Sequence, residues 1–316
     1  MKEISLKGVV EVHVHAKPDL YPRSYSDMEL MEAGVRVGAR AIVVKWHYGM
    51  TAARAELCNE MRRRLYPESD TVMYGSVVLN RPIGGLNTAA EKYPESDFQM
   101  FGGIALNRPV GGINPWAVDA ALKLGAKIVW LPTTDSRNER ELKGFHDGIA
   151  CVEQGRVNEA TKEVLRVIKE YGAVLGTGHL NAEESLAVID TAKSMGIDRI
   201  LVDHPEYWVT AMTLEEQERL VRDYGVYMGR YYAQPMPDGS FHVNLPENLE
   251  AYRRLGREHM IISTDGGQLA NPRWEEALRA YMQYFADHGV PVEDIDYMAK
   301  SLPASLLGLK EKEQED

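Results

Sequence analysis

The sequence predicts an α/β protein that folds as a single-domain (β/α)8 TIM barrel. Its 316 residues lie within the range in which one large barrel closes as one domain. Short β-branched runs alternate with longer segments of helical period, and eight such runs occur without a Pro-, Ser- or Gly-rich linker between them. Hydrophobic residues make up 44% of the chain, which is enough apolar material for a large core.

Each predicted strand precedes a predicted helix. The strands are Val9–His15, Ala41–His47, Met100–Leu106, Lys127–Leu131, Ala173–His179, Arg199–His204, Val226–Tyr231 and Met260–Thr264. The helices are Ser26–Val37, Thr51–Leu65, Asn114–Leu124, Asn158–Tyr171, Glu183–Met195, Thr213–Tyr224, Glu247–Leu255 and Trp274–His288. The first helix opens with Ser-x-x-Glu, close to a capping box. We expect the barrel to occupy residues 1–309 and a charged, solvated tail to follow at 310–316.

One segment of the chain is repeated. Tyr66–Asn87 recurs as Tyr93–Asn114, with 14 of 22 positions identical. A period that is used only twice cannot build a solenoid, so it indicates a tandem duplication (66–114) inserted around the third βα unit. The second copy leads directly into a predicted helix, which favours it as the barrel strand and leaves the first as an extra hairpin or loop. The pair either forms a lid or subunit contact or is a neutral insertion.

Composition excludes several classes of partner. The net charge of −11 disfavours nucleic acid and anionic membranes, and no run of eighteen apolar residues occurs. Charged and polar residues interrupt the apolar stretch near the N-terminus, unlike a secretory signal, so we expect a cytoplasmic protein. Cys58 and Cys151 are too few for a disulfide framework and are predicted to be structural thiols. Acidic barrels of this size often form homo-oligomers, which we expect here too.

The first predicted strand carries a pair of histidines. In a strand Glu11, His13 and His15 share one face, whereas the valines at 10, 12 and 14 share the other. Taken alone, His-x-His is as typical of solvated or hydrogen-bonded histidines as of metal ligands.

Three further residues favour metal ligands over solvated histidines. His179, His204 and Asp265 end the fifth, sixth and eighth predicted strands, and barrel active sites form at this edge. Four neutral imidazoles and a carboxylate that converge there are ligands suited to Zn²⁺ or a similar divalent ion. Asp265 taken singly, before two glycines, is equally typical of a turn.

Several motifs together resemble a known superfamily. They are VEVHVHAKPD, VVKWHYG, LNRPVGGINP, VWLPTTDS, TGHL and SLPASLLGL. Together they resemble the amidohydrolase superfamily of metal-dependent hydrolases, and within it an uncharacterised amidohydrolase-like branch. In that superfamily a His-x-His pair, two later histidines and an aspartate hold one or two metal ions.

The resemblance implies a ligand set for this chain. His13, His15 and Asp265 would hold one ion, and His179 and His204 a second ion or the substrate side of the first. The superfamily's usual bridging lysine or glutamate at the end of strand four is missing, since Thr133, Thr134 and Asp135 stand there. Lys45 is the nearest substitute, as a carbamate bridge, as a cation that orients an anionic substrate, or as a donor to a ligand. We expect one or two ions per chain, Zn²⁺ or alternatively Mn²⁺, Fe²⁺, Co²⁺ or Ni²⁺.

These ligands predict hydrolysis by a metal-activated water. Asp265, His204 and Lys45 are the predicted catalytic residues, with Asp265 taking the proton of the attacking water and delivering it to the leaving group. The substrate would be a small amide, lactone or ester, cleaved at a C–N or C–O bond. The alternatives are a divalent-metal-dependent decarboxylase of a small carboxylic acid, a phosphoric-ester hydrolase and, least favoured, a metal-binding protein without turnover.

Four residues near the same edge are predicted to bind substrate. They are His47, Asn107, Arg108 and Lys17. Asn80 and Arg81 are the counterparts of Asn107 and Arg108 in the first copy of the repeat. The alternatives are a histidine that supports a ligand and a loop salt bridge.

Overall fold

Parallel strands alternate with helices along most of the described part of the chain, and two short antiparallel hairpins lie between them. The structure is a computed structural model and describes residues 4–47, 51–69, 73–74, 102–123 and 126–309. Its strands are β1 Val10–Val14, β2 Ala41–Val44, β3 Met73–Tyr74, β4 Gly102–Ala105, β5 Ala126–Trp130, β6 Val152–Glu153, β7 Arg156–Val157, β8 Val174–Gly176, β9 Ile200–Asp203, β10 Tyr227–Arg230, β11 Ala233–Pro235, β12 Phe241–Val243 and β13 Met260–Ile262. Its helices are α1 Asp27–Val37, α2 Ala52–Leu65, α3 Pro115–Lys123, α4 Arg137–Leu142, α5 Glu159–Tyr171, α6 Ala182–Ser194, α7 Leu214–Tyr224, α8 Leu245–Leu255, α9 Trp274–Asp287, α10 Val292–Asp296 and α11 Leu302–Leu307.

The strand pairing follows the order expected for the predicted barrel. One parallel ladder runs in the order β1, β2, β3, and a second runs β4, β5, β8, β9, β10, β13. A parallel bridge between Val14 and Gly266 joins the end of the first strand to the turn that follows the last. All eight predicted strands are present, each within a few residues of its predicted bounds.

The first copy of the repeat differs from its prediction. Met73–Tyr74 pairs in parallel with β2, at Ile42 and Val43, so these two residues belong to the central sheet and not to an extra hairpin or loop. The second copy supplies β4, which pairs with β5 as predicted. The remainder of the first copy lies outside the described residues.

Helix ends follow the signals in the sequence. Ser26 caps α1 in a full capping box with Glu29, and Thr213 caps α7 in the same way with Glu216. Gly38, Gly172 and Gly225 end their helices in the left-handed conformation that glycine adopts without steric cost. Local capping therefore sets where these helices begin and end.

The C-terminal segment packs against the strands. A π-helical turn, Tyr297–Ser301, leads into α11, and the apolar residues of α11 join a buried cluster with Val10, Trp130 and Ile261. Most other apolar residues fill the layer between the sheet and the helices. The SLPASLLGL segment thus completes the core.

Strand β1 carries a bulge that the alternating pattern does not predict. Its register against β2 shifts between Glu11 and Val14. Val10 and Val12 pack in the cluster with Trp130, but Val14 packs in the layer beneath the helices. The prediction that the three valines share one face is therefore wrong for Val14, because the bulge inserts an extra residue.

A buried carboxyl group stabilises this bulge. Glu11 Oε1 accepts a hydrogen bond from the backbone N–H of His13 at 3.0 Å and another from the hydroxyl of Ser263. Its Oε2 accepts from Thr264 Oγ1 at 2.9 Å. Burial raises the pKa of Glu11 to about 7, although these hydrogen bonds act to lower it. Glu11 thereby ties the end of the first strand to the end of the last.

Gly267 offers a test of the close approach between those two strand ends. Its φ is +104°, and a Cβ atom there would lie 1.9 Å from the carbonyl oxygen of His15. We expect Gly267→Ala to lower the free energy of unfolding by about 3 kcal/mol or more, because backbone must move to relieve the overlap. The matched control is Gly239→Ala, which also has a positive φ but meets no atom within 4 Å. The control should cost only about 1 kcal/mol. Urea denaturation of both variants measures the difference, and equal losses would contradict the clash.

Glu11 provides a second test. We expect Glu11→Ala to destabilise the protein by about 2–4 kcal/mol, because it leaves the His13 N–H and two hydroxyls buried without an acceptor. Glu11→Gln keeps one acceptor oxygen and should cost clearly less. Glu153→Ala removes an exposed carboxylate from the β6–β7 hairpin and should change stability by less than about 0.5 kcal/mol. Similar stability of all three variants in urea would rule out this role for Glu11.

Candidate metal centre

Five histidine rings form a closed circle at the carboxyl-terminal edge of the strands. Ring centroids lie 4.8 Å apart between His47 and His15, 5.5 Å between His15 and His13, and 6.3 Å between His13 and His204. The circle closes through His204 and His179 at 4.9 Å and through His179 and His47 at 6.2 Å. The structure therefore brings together all four histidines that the sequence singled out as ligands, and adds His47.

The tightest part of this circle is a cluster of two histidines and an aspartate. Asp265 Oδ1 lies 3.1 Å from His13 Nε2 and 3.3 Å from His15 Nε2. One possible ligand atom from each of the three residues lies within 4.8 Å of the other two. Asp265 is predicted from sequence as the partner of this pair, and the structure places it there.

Two of the candidate ligands have strained backbones. His204 has a φ of 29° and Asp265 a φ of 48°, and they are two of the four non-glycine residues with positive φ in the described chain. Such conformations persist only where surrounding contacts enforce them, and they concentrate at functional sites. Here His204 N donates to Gly229 O, and Thr210 Oγ1 donates to His204 O.

A carboxylate that the sequence analysis missed orients His179. Glu139, on helix α4, is 2% exposed and accepts a hydrogen bond from His179 Nδ1. Burial acts to raise the pKa of Glu139, but the charge and hydrogen bond of His179, with Lys143, lower it to about 2. An ionised carboxylate only accepts hydrogen bonds, so Nδ1 donates to Glu139 and Nε2 is the ring nitrogen left for another partner. The Ser136-x-x-Glu139 cap of α4 is the sequence signal that could have revealed this helix.

Asp203, the residue before His204, is a second carboxylate the sequence analysis missed. Its Oδ1 accepts hydrogen bonds from Trp130 Nε1 at 3.1 Å and from the Tyr231 hydroxyl at 2.8 Å. Its Oδ2 accepts from the backbone of Gly178 at 3.2 Å, next to His179. Asp203 thereby connects the residues around the candidate ligands, and Tyr231 contacts His13 and His204 edge-on.

The buried imidazoles are held in their neutral form. Burial lowers the pKa of His13, His15, His47 and His204. Burial acts to raise the pKa of Asp265, but its contacts with His13 and His15 outweigh burial and lower it well below its usual range. The resulting set, neutral imidazoles beside a carboxylate, is the form in which these side chains bind a divalent metal.

Lys45 lies in the same pocket. It is 2% exposed, and its Nζ sits 5.2 Å from the centre of the Trp130 ring, which in turn lies 5.8 Å from His13. Burial lowers the pKa of Lys45, while the charges of Asp265 and Asp203 oppose that shift. The structure thus brings Lys45 to the histidine circle, as the sequence predicts.

The residues predicted to bind substrate separate into two groups. His47 stacks on His15 and contacts Thr133 Oγ1 through Nδ1 at 3.0 Å. Asn107 is fully buried, and its amide donates to His47 O at 3.0 Å and to Thr133 Oγ1 at 2.6 Å. Asn107 therefore supports the His47 loop, a role that the sequence analysis did not weigh.

The other two residues predicted to bind substrate, Arg108 and Lys17, lie outside the histidine circle. The Arg108 guanidinium is 44% exposed and pairs with Asp147 at 3.0 Å. Lys17 is exposed in the loop after β1. Asn80 and Arg81 lie outside the described residues. Neither Arg108 nor Lys17 contacts the histidine circle in the described structure.

Within the described residues, no helix is long and apolar enough to cross a membrane.

Solved structures with the same fold span nearly the whole chain. An amidohydrolase from Pseudomonas aeruginosa aligns with a TM-score of 0.59 at 14% identity, covering 95% of this chain and 96% of that one. The probable dipeptidase PvdM from the same organism aligns with a TM-score of 0.60 at 10% identity, over 95% and 94% of the two chains. A 2,6-dihydroxybenzoate decarboxylase aligns with a TM-score of 0.51 at 11% identity, over 97% and 99%. These structures therefore show that the chain shares their fold.

Sequence comparison assigns the chain to a family. No curated protein matches it. A family model described as "Family of unknown function (DUF6282)" matches residues 8–93 and 88–229. The two matched stretches overlap between the two copies of the repeat, and together they span more than half of the 316 residues. The chain therefore belongs to the family of unknown function DUF6282.

Proposed function

We propose that this protein is a metal-dependent hydrolase that cleaves a C–N or C–O bond of a small substrate. The observation that carries the proposal is the cluster of His13, His15 and Asp265, whose ligand atoms lie within 4.8 Å of one another beside two further histidines. The shared fold with structures named as an amidohydrolase and a probable dipeptidase supports the same class of reaction.

The site fits a divalent cation because it holds buried polar atoms that lack a hydrogen bond within the described residues. His13 Nε2, His204 Nδ1 and Asp265 Oδ1 are such atoms, and the 3.1 Å approach of His13 Nε2 to Asp265 Oδ1 is a contact without a hydrogen bond. Leaving such atoms unpaired costs free energy, so a bound ion would recover it. Imidazole and carboxylate ligands suit Zn²⁺, and equally Mn²⁺, Fe²⁺, Co²⁺ or Ni²⁺. His13, His15 and Asp265 would hold one ion, with His179 and His204 facing a second ion or the substrate.

The ion would act as a Lewis acid, lowering the pKa of a nearby water and polarising the scissile carbonyl or phosphoryl oxygen. The chain supplies the proton transfer. Asp265 is ionised and 15% exposed, so it can accept the proton of the attacking water and pass it to the leaving group. Glu139 binds Nδ1 of His179, and His204 flanks that ring, so both histidines would orient the substrate's polar oxygen.

Lys45 is the remaining catalytic candidate. Its pKa is lowered by burial beside the histidine circle, and a neutral amine is the form that reacts with carbon dioxide to give a carbamate. A carbamate would replace the bridging residue that the end of strand β5 lacks, since Thr133, Thr134 and Asp135 stand there. As an ammonium group, Lys45 would instead orient an anionic substrate.

The ligand set predicts the metal content of the protein. Protein purified without chelator should carry about one or two divalent ions per chain by elemental analysis. The double variant His13→Asn/His15→Asn should lose most of that metal, because two of three close ligands are removed. His146→Asn, in an exposed segment, is the matched control and should retain it. Metal in the double variant equal to that of the control would disprove the ligand assignment.

The proposed proton transfer by Asp265 predicts that a variant of the same shape at this position loses turnover. Asp265→Asn should lower kcat on any ester, lactone or amide substrate by about 10²–10⁴-fold, since the amide cannot accept the proton. Asp198→Asn removes a carboxylate that is 86% exposed and should leave kcat unchanged. An Asp265→Asn variant with a full rate would remove the proposed role, and release of carbon dioxide without uptake of water would favour the decarboxylase alternative.

A further inference from the structure

The loop after β1 brings a buried arginine to the edge of the site. Arg23 is 6% exposed, and its backbone forms an antiparallel bridge with Gln268, three residues after Asp265. The next residue, Ser24, donates from its backbone to Gly267 O at 2.8 Å and from its hydroxyl to Gln268 O at 2.7 Å. Arg23 is therefore fastened to the turn that carries the candidate metal ligand.

Only part of the Arg23 guanidinium is used by the protein. Its Nε donates to Asp19 Oδ2 at 2.6 Å, and Asp19 Oδ1 accepts from Trp46 Nε1 at 3.2 Å. Within the described residues, its two Nη groups make no hydrogen bond, and they reach the small part of the side chain, 6%, that is exposed to solvent. Two parallel N–H donors in fixed geometry match the oxygens of a carboxylate or phosphoryl group.

The charge of Arg23 reaches the histidine circle. Burial lowers the pKa of His15, Lys45 and His47, and the charge of Arg23 acts in the same direction on all three. The guanidinium therefore lies within electrostatic range of these side chains.

The carboxylates nearby are already engaged. Glu139 accepts from His179 and Lys143, and Asp203 accepts from Trp130 and Tyr231. Asp19 pairs with Arg23 through Nε and leaves the Nη donors without a partner among the described residues. Asp265 is a candidate metal ligand, so an anionic group of the ligand would be the partner that binds these donors.

We propose that Arg23, held in place by Asp19 and Trp46, is a specificity-determining residue that binds an anionic group of the substrate beside the candidate metal ligands. The substrate class is then a small molecule that carries a carboxylate or a phosphoryl group near the bond that is cleaved. That the bound anion belongs to a substrate rests on the proposed hydrolase function. Binding of an anion at Arg23 can be measured without turnover.

Three probes with the same phenyl ring test the anion site. Benzoate, phenylphosphonate and benzamide are titrated calorimetrically into the purified full chain, whose metal content is measured in parallel. At least one anion should bind about 10-fold or more tightly than neutral benzamide, as expected for charge-assisted hydrogen bonds. Which of the two anions is preferred tells whether a carboxylate or a phosphoryl group is recognised.

Substitutions assign this preference to Arg23. Arg23→Gln should bring the ratio of anion to benzamide affinity close to one, and Arg23→Lys should retain part of it. Both variants should keep the metal content of the wild type, because Arg23 is not a ligand. Arg222→Gln removes an exposed arginine on α7, 70% exposed, and should leave the ratio unchanged.

The outcomes separate the inference from the proposed function. Equal binding of anions and benzamide to the wild type, no binding of either anion, or an unchanged ratio in a folded Arg23→Gln variant would each overturn the inference. Circular dichroism establishes folding, and Arg23→Lys supplies the test if Arg23→Gln does not fold. Charge-selective binding without turnover of any substrate would instead support the anion site while removing the hydrolase function.

Discussion

The hydrogen bonds of one buried carboxyl group hold the candidate site together. Glu11 accepts from its own strand at His13 N and from Ser263 and Thr264, which immediately precede Asp265. Since these two segments are 252 residues apart along the chain, Glu11 joins the first strand of the barrel to the last. The bulge that it stabilises lies in the segment that carries His13 and His15, so Glu11 fixes that segment against the one that carries Asp265.

One set of side chains at the site offers candidate ligand atoms for a metal ion, and another set orients those ligands. Neutral imidazoles and Asp265 offer unsatisfied atoms, whereas Glu139 and Asp203 are saturated with hydrogen bonds and fix the groups around them. Such outer carboxylates set which ring nitrogen of a histidine carries the proton. The strained backbones of His204 and Asp265 persist because nearby hydrogen bonds hold the chain. His204 N donates to Gly229 O, and the segment around Asp265 is held by the bonds of Ser263 N to Arg230 O and of His15 N to Gly266 O.

Loops outside the regular βα pattern supply much of this outer support. Helix α4 contributes Glu139, the segment around Asn107 supports the His47 loop, and the loop after β1 contributes Asp19 and Arg23. The strands fix where the ligands converge, and the loops decide what the pocket accepts. This division explains why the barrel fold is shared with structures of different named activities, while the arginine and its charge partner are features of this chain's own loop.

The sequence by itself determined the eight strands, the helices between them and the four histidines with Asp265, because periodicity and strand ends are local properties of the chain. It also indicated Lys45 correctly as a neighbour of the ligands. Only the tertiary structure decided the bulge at Glu11, the pairing of Met73–Tyr74 with β2, and the contacts of Glu139, Asp203 and Arg23. Each of these depends on a partner that is distant in sequence or on a short irregular segment, and no periodic pattern encodes such contacts.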